Sequence, residues 1–317
     1  MNPLRFVVRR LAQGVVVIWI VTTVTFLLIH LAPGGPSILA DPKLSPVERR
    51  EVERRLGLDR PLPVQYVAWH RNLLRGDLGR SYLYQTPAGR TALARVPDTA
   101  LLAGVALLLS LALAIPAGVY AGRRPGSPVD RLLGLGSFAA LSVPTFWFGI
   151  MLIILFGALW HLLPAGGIST PGLEGSIADR LRHLLLPVVV LALPVTAELT
   201  RYVRSGVAAA ASASHVAAAR ARGLPEAAVT RRHVLRNALL PLVTMVGIQA
   251  PMLAGGAAIT ETVFSWPGMG RLFWEEAQRT DTPVLMAVLM FTSVMVVVFN
   301  LLADVGYAYL DPRIRYR

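Results

Sequence analysis

The stretch Thr99–Gly122, TALLAGVALLLSLALAIPAGVYAG, contains no charged residue and lies between Asp98 and Arg123. A helix needs roughly 20 mostly apolar residues to cross the roughly 30 Å hydrocarbon core of a bilayer. Inside lipid, a single segment satisfies its own backbone polar groups only when it is helical. The sequence therefore predicts a transmembrane helix at this position.

Five other segments have the same apolar character. One of them, residues 184–204, is less regular, because its uncharged run is short and contains Pro187 and Pro194. A re-entrant or interfacial segment is the alternative there, but it would leave an odd number of spans and put the termini on opposite faces. We predict six transmembrane helices, near residues 11–31, 99–122, 132–160, 184–204, 237–260 and 282–306.

The first predicted span follows three arginines and so resembles a secretory signal peptide. Its apolar run is longer than that of a usual signal peptide, and the segment Ala32–Pro36 offers a poor cleavage site. We expect this helix to be retained in the protein.

The composition is that of a membrane protein. Hydrophobic residues make up 54% of the 317 residues and charged residues only 15%. A typical soluble domain has about 25% charged residues. The chain has no cysteine, which excludes disulfides, thiolate metal sites and cysteine nucleophiles. The predicted fold class is all-α, a polytopic membrane protein.

The net charge of +13 is unevenly distributed over this topology. Residues 1–10, 123–131, 201–236 and 307–317 share one face and carry 16 Lys and Arg residues against three acids. The other face carries 15 basic and 13 acidic residues. Because basic residues concentrate in cytoplasmic loops, we predict that the first face and both termini are cytoplasmic. Topology thus accounts for the basic charge, and we expect no nucleic-acid partner.

Residues 32–97 form a long segment on the predicted outer face. The run Ser45–Glu48 has the pattern of a capping box with proline at the first helical position, and Gly57 is a suitable helix stop. A second short helix is predicted from Pro63 to Leu74. We expect an extracytoplasmic cap here and a membrane core at residues 95–306. From the residues alone, a solvated cap without a ligand role is the favoured interpretation.

The predicted cytoplasmic loop 205–236 contains a helix signal of its own. Ala208–Ala219 consists mainly of alanine, the best helix former. Gly223 precedes Leu224 and Pro225, which is the order expected after a helix that ends in a left-handed cap. On spacing alone, an ordinary charged connector is the favoured interpretation.

Catalytic and ion-coupling patterns are missing from the sequence. It has no HExxH motif and no Gly-x-Ser-x-Gly elbow, and its only lysine, Lys43, is not in a phosphate-binding loop. We predict no catalytic, cofactor-binding or metal-binding residue. The spans contain few charged residues, which disfavours an ion-coupled secondary transporter. We expect Glu198 to pair with Arg201 at i,i+3, a structural role that we favour over a substrate contact, and we expect Asp304 to be structural as well.

Several motifs resemble one family of membrane proteins. Ala217–Gly223, AAARARG, resembles the EAA loop of bacterial ATP-binding-cassette (ABC) importer permeases, with alanine where that loop has glutamate. The acidic residue is commonly absent from the oligopeptide, dipeptide and nickel subfamily, whose continuation is similar to His233–Pro241. The resemblance covers essentially the whole chain. Further matches are Gly76–Gly79 with Ser81, Ser142–Trp147, Phe264–Gly270 and Asp311–Tyr316.

The resemblance implies an ABC importer type I permease fold and a non-catalytic transport subunit in the bacterial inner membrane. It also implies several partners: a second homologous permease, two cytoplasmic ATPases, an extracytoplasmic solute-binding protein and the lipid bilayer. The implied substrates are dipeptides or oligopeptides, with nickel complexes, glutathione and oligosaccharides as alternatives. ATPase coupling is expected at Ser212, His215, Val216, Ala217, Ala218, Ala219, Arg220, Arg222 and Gly223.

Because the chain has no native cysteine, single cysteine substitutions test this topology. Ser45→Cys is expected to react with a membrane-impermeant thiol reagent in intact cells. Ser212→Cys is expected to react only after the membrane is opened. Equal labelling of both positions in intact cells would contradict the predicted orientation.

Overall fold

A computed structural model describes residues 3–31, 36–40 and 44–310 of the chain. Over these residues the secondary structure is helical, without a β-strand, as the sequence predicts. In chain order the α-helices are α1 (Pro3–Leu31), α2 (Pro46–Leu56), α3 (Leu62–Leu73), α4 (Ala88–Leu93), α5 (Val96–Arg123), α6 (Pro128–Ser142), α7 (Thr145–Leu152), α8 (Ile177–Ala211), α9 (Ser214–Ala221), α10 (Glu226–Val229), α11 (Arg236–Ala238), α12 (Leu240–Val263), α13 (Met269–Arg279) and α14 (Thr282–Leu310).

Among the described residues, four helical segments are long and apolar enough to cross a membrane. They are α1, the α4–α5 segment, α8 and α14. The bent pair α6–α7 adds a fifth when it is counted as one broken span. Helix α12 lies at the remaining predicted span, 237–260, and Glu261 is its only charged residue. Each predicted span therefore corresponds to helical structure.

The predicted span 132–160 is not one straight helix. Helices α6 and α7 meet at an angle of 97°, and π-helical turns continue α7 through Ile153–Leu159. The bend lies at Val143, whose backbone is extended with ψ of 124°. Proline disfavours the helical conformation of the residue before it, so Pro144 explains why α6 ends there.

Helix α8 is longer than the predicted span 184–204, with 35 residues. Its polar first turns are helical because their side chains have partners. The Asp179 carboxylate, for example, accepts a hydrogen bond from the Thr170 backbone N–H at 2.7 Å. At its other end, α8 continues into the predicted loop 205–236 as far as Ala211. The non-helical part of this loop therefore begins only at Ser212. The segment 184–204 is therefore part of one continuous helix and not the re-entrant segment that was the alternative.

The packing of α5 against α8 forms the centre of the bundle. Small residues recur at every fourth position along α5, which places them on one helix face. Such a stripe lets the backbone of a second helix approach closely. The Ser110 hydroxyl also donates a hydrogen bond to the Ala192 carbonyl oxygen of α8 at 3.1 Å. The buried residues of this stripe are Ala106, Ser110, Ala114, Gly118 and Gly122.

Two glycines of the stripe leave no room for a side chain. A Cβ atom at Gly118 would lie 2.6 Å from Val203 Cβ and 2.8 Å from the Thr200 carbonyl oxygen. At Gly122 it would lie 2.6 Å from the Arg204 carbonyl oxygen. The two helices thus pack through direct contact between the α5 backbone and α8.

A buried carboxylate joins α5, α12 and α13 at the end of the bundle that is predicted to face outward. Glu261 is fully buried and accepts hydrogen bonds from Thr99 Oγ1 at 2.7 Å and from the Arg271 backbone N–H at 3.0 Å. The Thr99 hydroxyl oxygen accepts in turn from the Met269 N–H at 2.8 Å. Glycine is required at position 268, because the Glu261 carboxylate occupies the place of a Cβ atom there.

A second buried carboxylate attaches the cap segment to the core. Asp281 accepts hydrogen bonds from Ser81 Oγ at 2.5 Å and from the Tyr82 N–H at 3.2 Å. Burial, together with the negative charge of Asp281, raises the pKa of Tyr82 to about 12. The cap is therefore held against the start of α14.

Local predictions for the cap are confirmed. The Ser45 hydroxyl accepts from the Glu48 N–H, and the Glu48 carboxylate accepts from the Ser45 N–H, so both bonds of the capping box are present. Gly57 ends α2 with φ of 71°. The second short helix is α3, which starts one residue before the predicted Pro63 and ends one before Leu74.

Helix α1 packs against α14. An ion pair joins Arg10 Nε to Asp304 Oδ2 at 3.0 Å, which confirms the structural role predicted for Asp304. Gly14 faces Val297 on α14 and leaves no space for a Cβ atom.

Gly118→Ala tests the contact between α5 and α8. In an open helix interior, alanine is more stable than glycine by roughly 0.5–1 kcal/mol. At Gly118 the methyl group has no space, and overpacking typically costs about 1–3 kcal/mol. We therefore expect a lower thermal unfolding midpoint for the detergent-solubilised variant.

Gly104→Ala on the same helix is the matched control, because a Cβ atom there meets nothing within 4 Å. It is expected to keep or slightly raise the unfolding midpoint. Equal midpoints for the two variants would show that the α5–α8 contact is not tight.

Candidate functional site

The residues predicted for coupling lie on α9 and at its two ends. The alanine-rich segment is not one helix from Ala208 to Ala219, because α8 ends at Ala211 and α9 begins at Ser214. At the junction, the Ser212 hydroxyl donates a hydrogen bond to the Ala209 carbonyl oxygen at 2.9 Å. Serine bonds of this kind compete with the helical pattern and help to end α8.

Two side chains of α9 anchor it to the bundle. Val216 and Ala219 are fully buried and lie in the same hydrophobic cluster as Val207 of α8 and Val229 of α10. Their i,i+3 spacing puts them on one face of α9. The helix is thus packed against the membrane bundle and is not a detached connector.

The opposite face of α9 is exposed, and the side chains at its centre are short. Ala217 and Ala218 lie at its centre, with His215 and Arg222 beside them. The Arg222 Nε–H donates to the Ala218 carbonyl oxygen at 3.4 Å, so the guanidinium lies along the helix. Another protein can approach the α9 backbone closely at Ala217 and Ala218, because each of these residues has only a methyl side chain.

Gly223 ends α9 in the predicted left-handed conformation, with φ of 75°. Its N–H donates to the Arg220 carbonyl oxygen at 2.9 Å, and the Leu224 N–H donates to the Ala219 carbonyl oxygen at 3.4 Å. These two bonds form a Schellman cap. A Cβ atom at Gly223 would meet nothing within 4 Å, so backbone conformation and not space favours glycine.

Two contacts that the sequence did not reveal tie α9 to the segment after it. Arg220 donates two hydrogen bonds to the Glu226 carboxylate, at 2.9 and 3.1 Å. These bonds lower the pKa of Glu226 and raise that of Arg220. His215 Nε2 lies 3.2 Å from Asn237 Nδ2 and 3.4 Å from the His233 carbonyl oxygen. The partners are 6 residues apart in the Arg220–Glu226 pair and 22 apart in the His215–Asn237 pair. Neither separation is a helical one, because the turn after α9 lies between the two residues of each pair.

A separate polar cluster lies on α8. The Glu198 carboxylate accepts a hydrogen bond from Gln249 Nε2 of α12 at 2.6 Å. The Arg201 guanidinium lies over the Phe138 ring, 4.8 Å from its centroid. The predicted ion pair between Glu198 and Arg201 is therefore wrong, since each side chain has a partner on another helix. In the described part of the chain, no group of three His, Asp or Glu side chains is placed to hold a metal ion.

Comparison with known proteins identifies the family. Residues 114–316 match the family described as "Binding-protein-dependent transport system inner membrane component". Residues 3–103 match its companion, "Binding-prot-dependent transport system membrane comp, N-term". The chain belongs to this family of transport permeases. The larger match contains α8, α9 and the polar cluster.

Curated relatives extend over nearly the full length of this permease. The Oligopeptide transport system permease protein AppB of Bacillus subtilis is 40% identical over 313 residues, covering 98% of this chain and 99% of the relative. The Dipeptide transport system permease protein DppB of Escherichia coli (strain K12) is 33% identical over 337 residues, covering 99% of each. The chain is therefore a multi-pass membrane permease of an ABC importer.

A solved structure supports the fold independently. An inward-facing structure of the MetNI methionine ABC transporter aligns with a TM-score of 0.54 at 18% sequence identity. The alignment covers 69% of this chain and 96% of the compared chain. This likeness concerns the fold alone, and it agrees with the predicted type I importer permease.

The packing of α9 is tested by two substitutions at adjacent alanines. Ala219→Leu places a large side chain against the bundle and is expected to destabilise the protein by about 1–3 kcal/mol. The new side chain of Ala218→Leu points to solvent, so this substitution is expected to change the free energy of unfolding by less than about 0.5 kcal/mol. Thermal unfolding in detergent measures both. If Ala219→Leu is as stable as Ala218→Leu, α9 is not anchored through Ala219.

Proposed function

We propose that this chain is one of two homologous permease subunits of a peptide importer. It forms half of a path through which dipeptides or oligopeptides cross by alternating access. A solute-binding protein delivers the peptide from outside, and two ATPases drive the cycle from the cytoplasm. The names of the full-length relatives, an oligopeptide and a dipeptide permease, support peptide as the substrate class.

The shape of α9 carries the proposal that ATPases dock on the cytoplasmic face. One side of α9 is fixed to the bundle by Val216 and Ala219, while Ala217 and Ala218 present a smooth outer side. A docking element must be rigid to transmit force, and it must be accessible to bind a partner. Within the proposed coupling set, α9 with Ser212 and Gly223 at its ends satisfies both requirements.

The connection between α9 and the membrane helices suggests how movement is transmitted. Only Ser212 and Ala213 separate α9 from α8, and Val216 packs with Val207 in one cluster. Helix α8 is in turn locked to α5 by the stripe of small residues. A displacement of α9 by an ATPase is therefore expected to move α5 and α8 together.

The orientation follows from the distribution of arginine. The α9 face is the basic one, so we place it in the cytoplasm together with both termini. The cap, with α2 and α3, then lies outside, where a solute-binding protein is able to reach it. A partner must provide energy, because the chain has no phosphate-binding loop of the Gly-Lys-Ser/Thr type.

Gly223→Val tests the coupling role. A β-branched residue in the left-handed conformation costs on the order of 1–2 kcal/mol and redirects the chain after α9. We expect normal membrane insertion and assembly, but reduced peptide uptake and reduced peptide-stimulated ATP hydrolysis in proteoliposomes that contain the complete complex.

Gly126→Val is the matched control. Gly126 also has a left-handed backbone, with φ of 79°, and a Cβ atom there meets nothing within 4 Å. It lies in the loop between α5 and α6, outside the residues proposed for coupling, so both activities are expected to persist. Full activity of Gly223→Val, or an equal loss in both variants, would contradict a specific coupling role for the end of α9.

A further inference from the structure

A cavity of about 420 Å³ opens along α8. We propose that this cavity, termed the α8 groove, binds the charged termini of a peptide during its passage. The inference rests on the proposed function and adds a substrate site to it. The groove is lined by Glu198, Arg201, Tyr202, Ser205, Gly206 and Ala238.

The groove lies at the predicted cytoplasmic end of the span 184–204, where its polar lining makes plain lipid an unfavourable neighbour. Glu198, Arg201, Tyr202 and Ser205 are exposed at helical spacing along one face of a membrane-spanning helix. Charged side chains in the hydrocarbon region are costly and normally face water, a pore or protein. This face of α8 is therefore suited to a polar path through the assembled permease.

The two charges in the groove are held apart. Gln249 holds the Glu198 carboxylate from one side, and the Phe138 ring holds the Arg201 guanidinium from another. Because the two groups do not form an ion pair with each other, both charges remain available. A ligand with an ammonium group and a carboxylate at a short separation complements them, as a dipeptide does. For a longer peptide, we assign the amino terminus to Glu198.

The rest of the groove suits substrates with different side chains. Its size lies within the range of about 300–1,000 Å³ that is typical of small-molecule pockets. Gly206 and Ala238 form a floor without long side chains, and a Cβ atom at Gly206 would lie 2.9 Å from the Ala238 carbonyl oxygen. Recognition therefore depends on the peptide termini more than on its side chains. An anionic lipid phosphate would meet Arg201 but would be repelled by Glu198.

Glu198→Gln tests the assignment of the amino terminus, because it removes the charge and keeps a side chain that can bond to Gln249. Uptake of a dipeptide is compared with uptake of its N-acetylated form by the complete complex in proteoliposomes. The solute-binding protein is the same throughout, so a change in preference arises in the permease. We expect the preference for the free amino terminus to fall roughly tenfold, as for the loss of one charge-assisted hydrogen bond.

Asp304→Asn is the matched control, because Asp304 is a carboxylate of α14 that pairs with Arg10 outside the groove. Its preference for the free dipeptide is expected to equal that of the wild type. An unchanged preference in Glu198→Gln would overturn the site while leaving the proposed function intact. Failure of the wild-type complex to take up any peptide would instead overturn the proposed function.

A labelling experiment decides the question if Glu198→Gln does not assemble. Ser205→Cys provides a single thiol in the groove of the purified complex. We expect a dipeptide to slow its reaction with a maleimide, and an N-acetylated dipeptide amide to have little effect. Equal protection by both peptides, protection by anionic lipid only, or no reaction under any condition would overturn the site.

Discussion

The close contact between α5 and α8 is the constraint on which the rest of the structure depends. In a bilayer, lipid chains are as apolar as leucine, so helices associate mainly through close packing and inter-helix hydrogen bonds. Gly118 and Gly122 let the α5 backbone touch Val203 and the carbonyl oxygens of α8, and Ser110 adds a hydrogen bond between the helices. Larger residues at these positions would force the two helices apart.

This helix pair connects the two ends of the molecule. At one end, α5 provides Thr99, which binds the buried carboxylate of Glu261 and so fixes the start of α13. At the other end, α8 leads through two residues into α9, whose buried side chains pack against the same core. A partner shifts the conformational equilibrium of a permease only when it binds the two conformations with different affinity. The surface that the partner binds must therefore change together with the membrane helices, and this connection allows it to do so.

The sequence was informative wherever the signal is local. Apolar runs located the spans, the Ser45–Glu48 pattern located the start of α2, and Gly223 marked the left-handed end of α9. The bend at Val143 also has a local cause in Pro144, although the uncharged run around it suggested one straight helix. The coupling residues came from resemblance to a family, since spacing alone favoured a plain connector.

Features that depend on distant partners were not predictable from the sequence. The first turns of α8 resemble an outer loop until the contact between Asp179 and Thr170 is known. Alanine favours both α8 and α9, so the break at Ser212 left no clear trace in composition. Glu198 has Arg201 one turn away, yet its partner is a glutamine on α12. For Asp179 and Glu198, the side chain bonds to a residue outside its own helix, and helical spacing does not reveal such a partner.

The central claim is that this chain conducts substrate and that separate subunits supply the energy. It is tested most directly by measuring ATP hydrolysis and peptide accumulation in proteoliposomes, first with the purified chain alone and then with all its partners. The chain alone is expected to show neither activity, with or without a proton gradient, and the complete complex is expected to show both. Uphill peptide uptake by the isolated chain under a proton gradient would contradict the claim and indicate a secondary transporter.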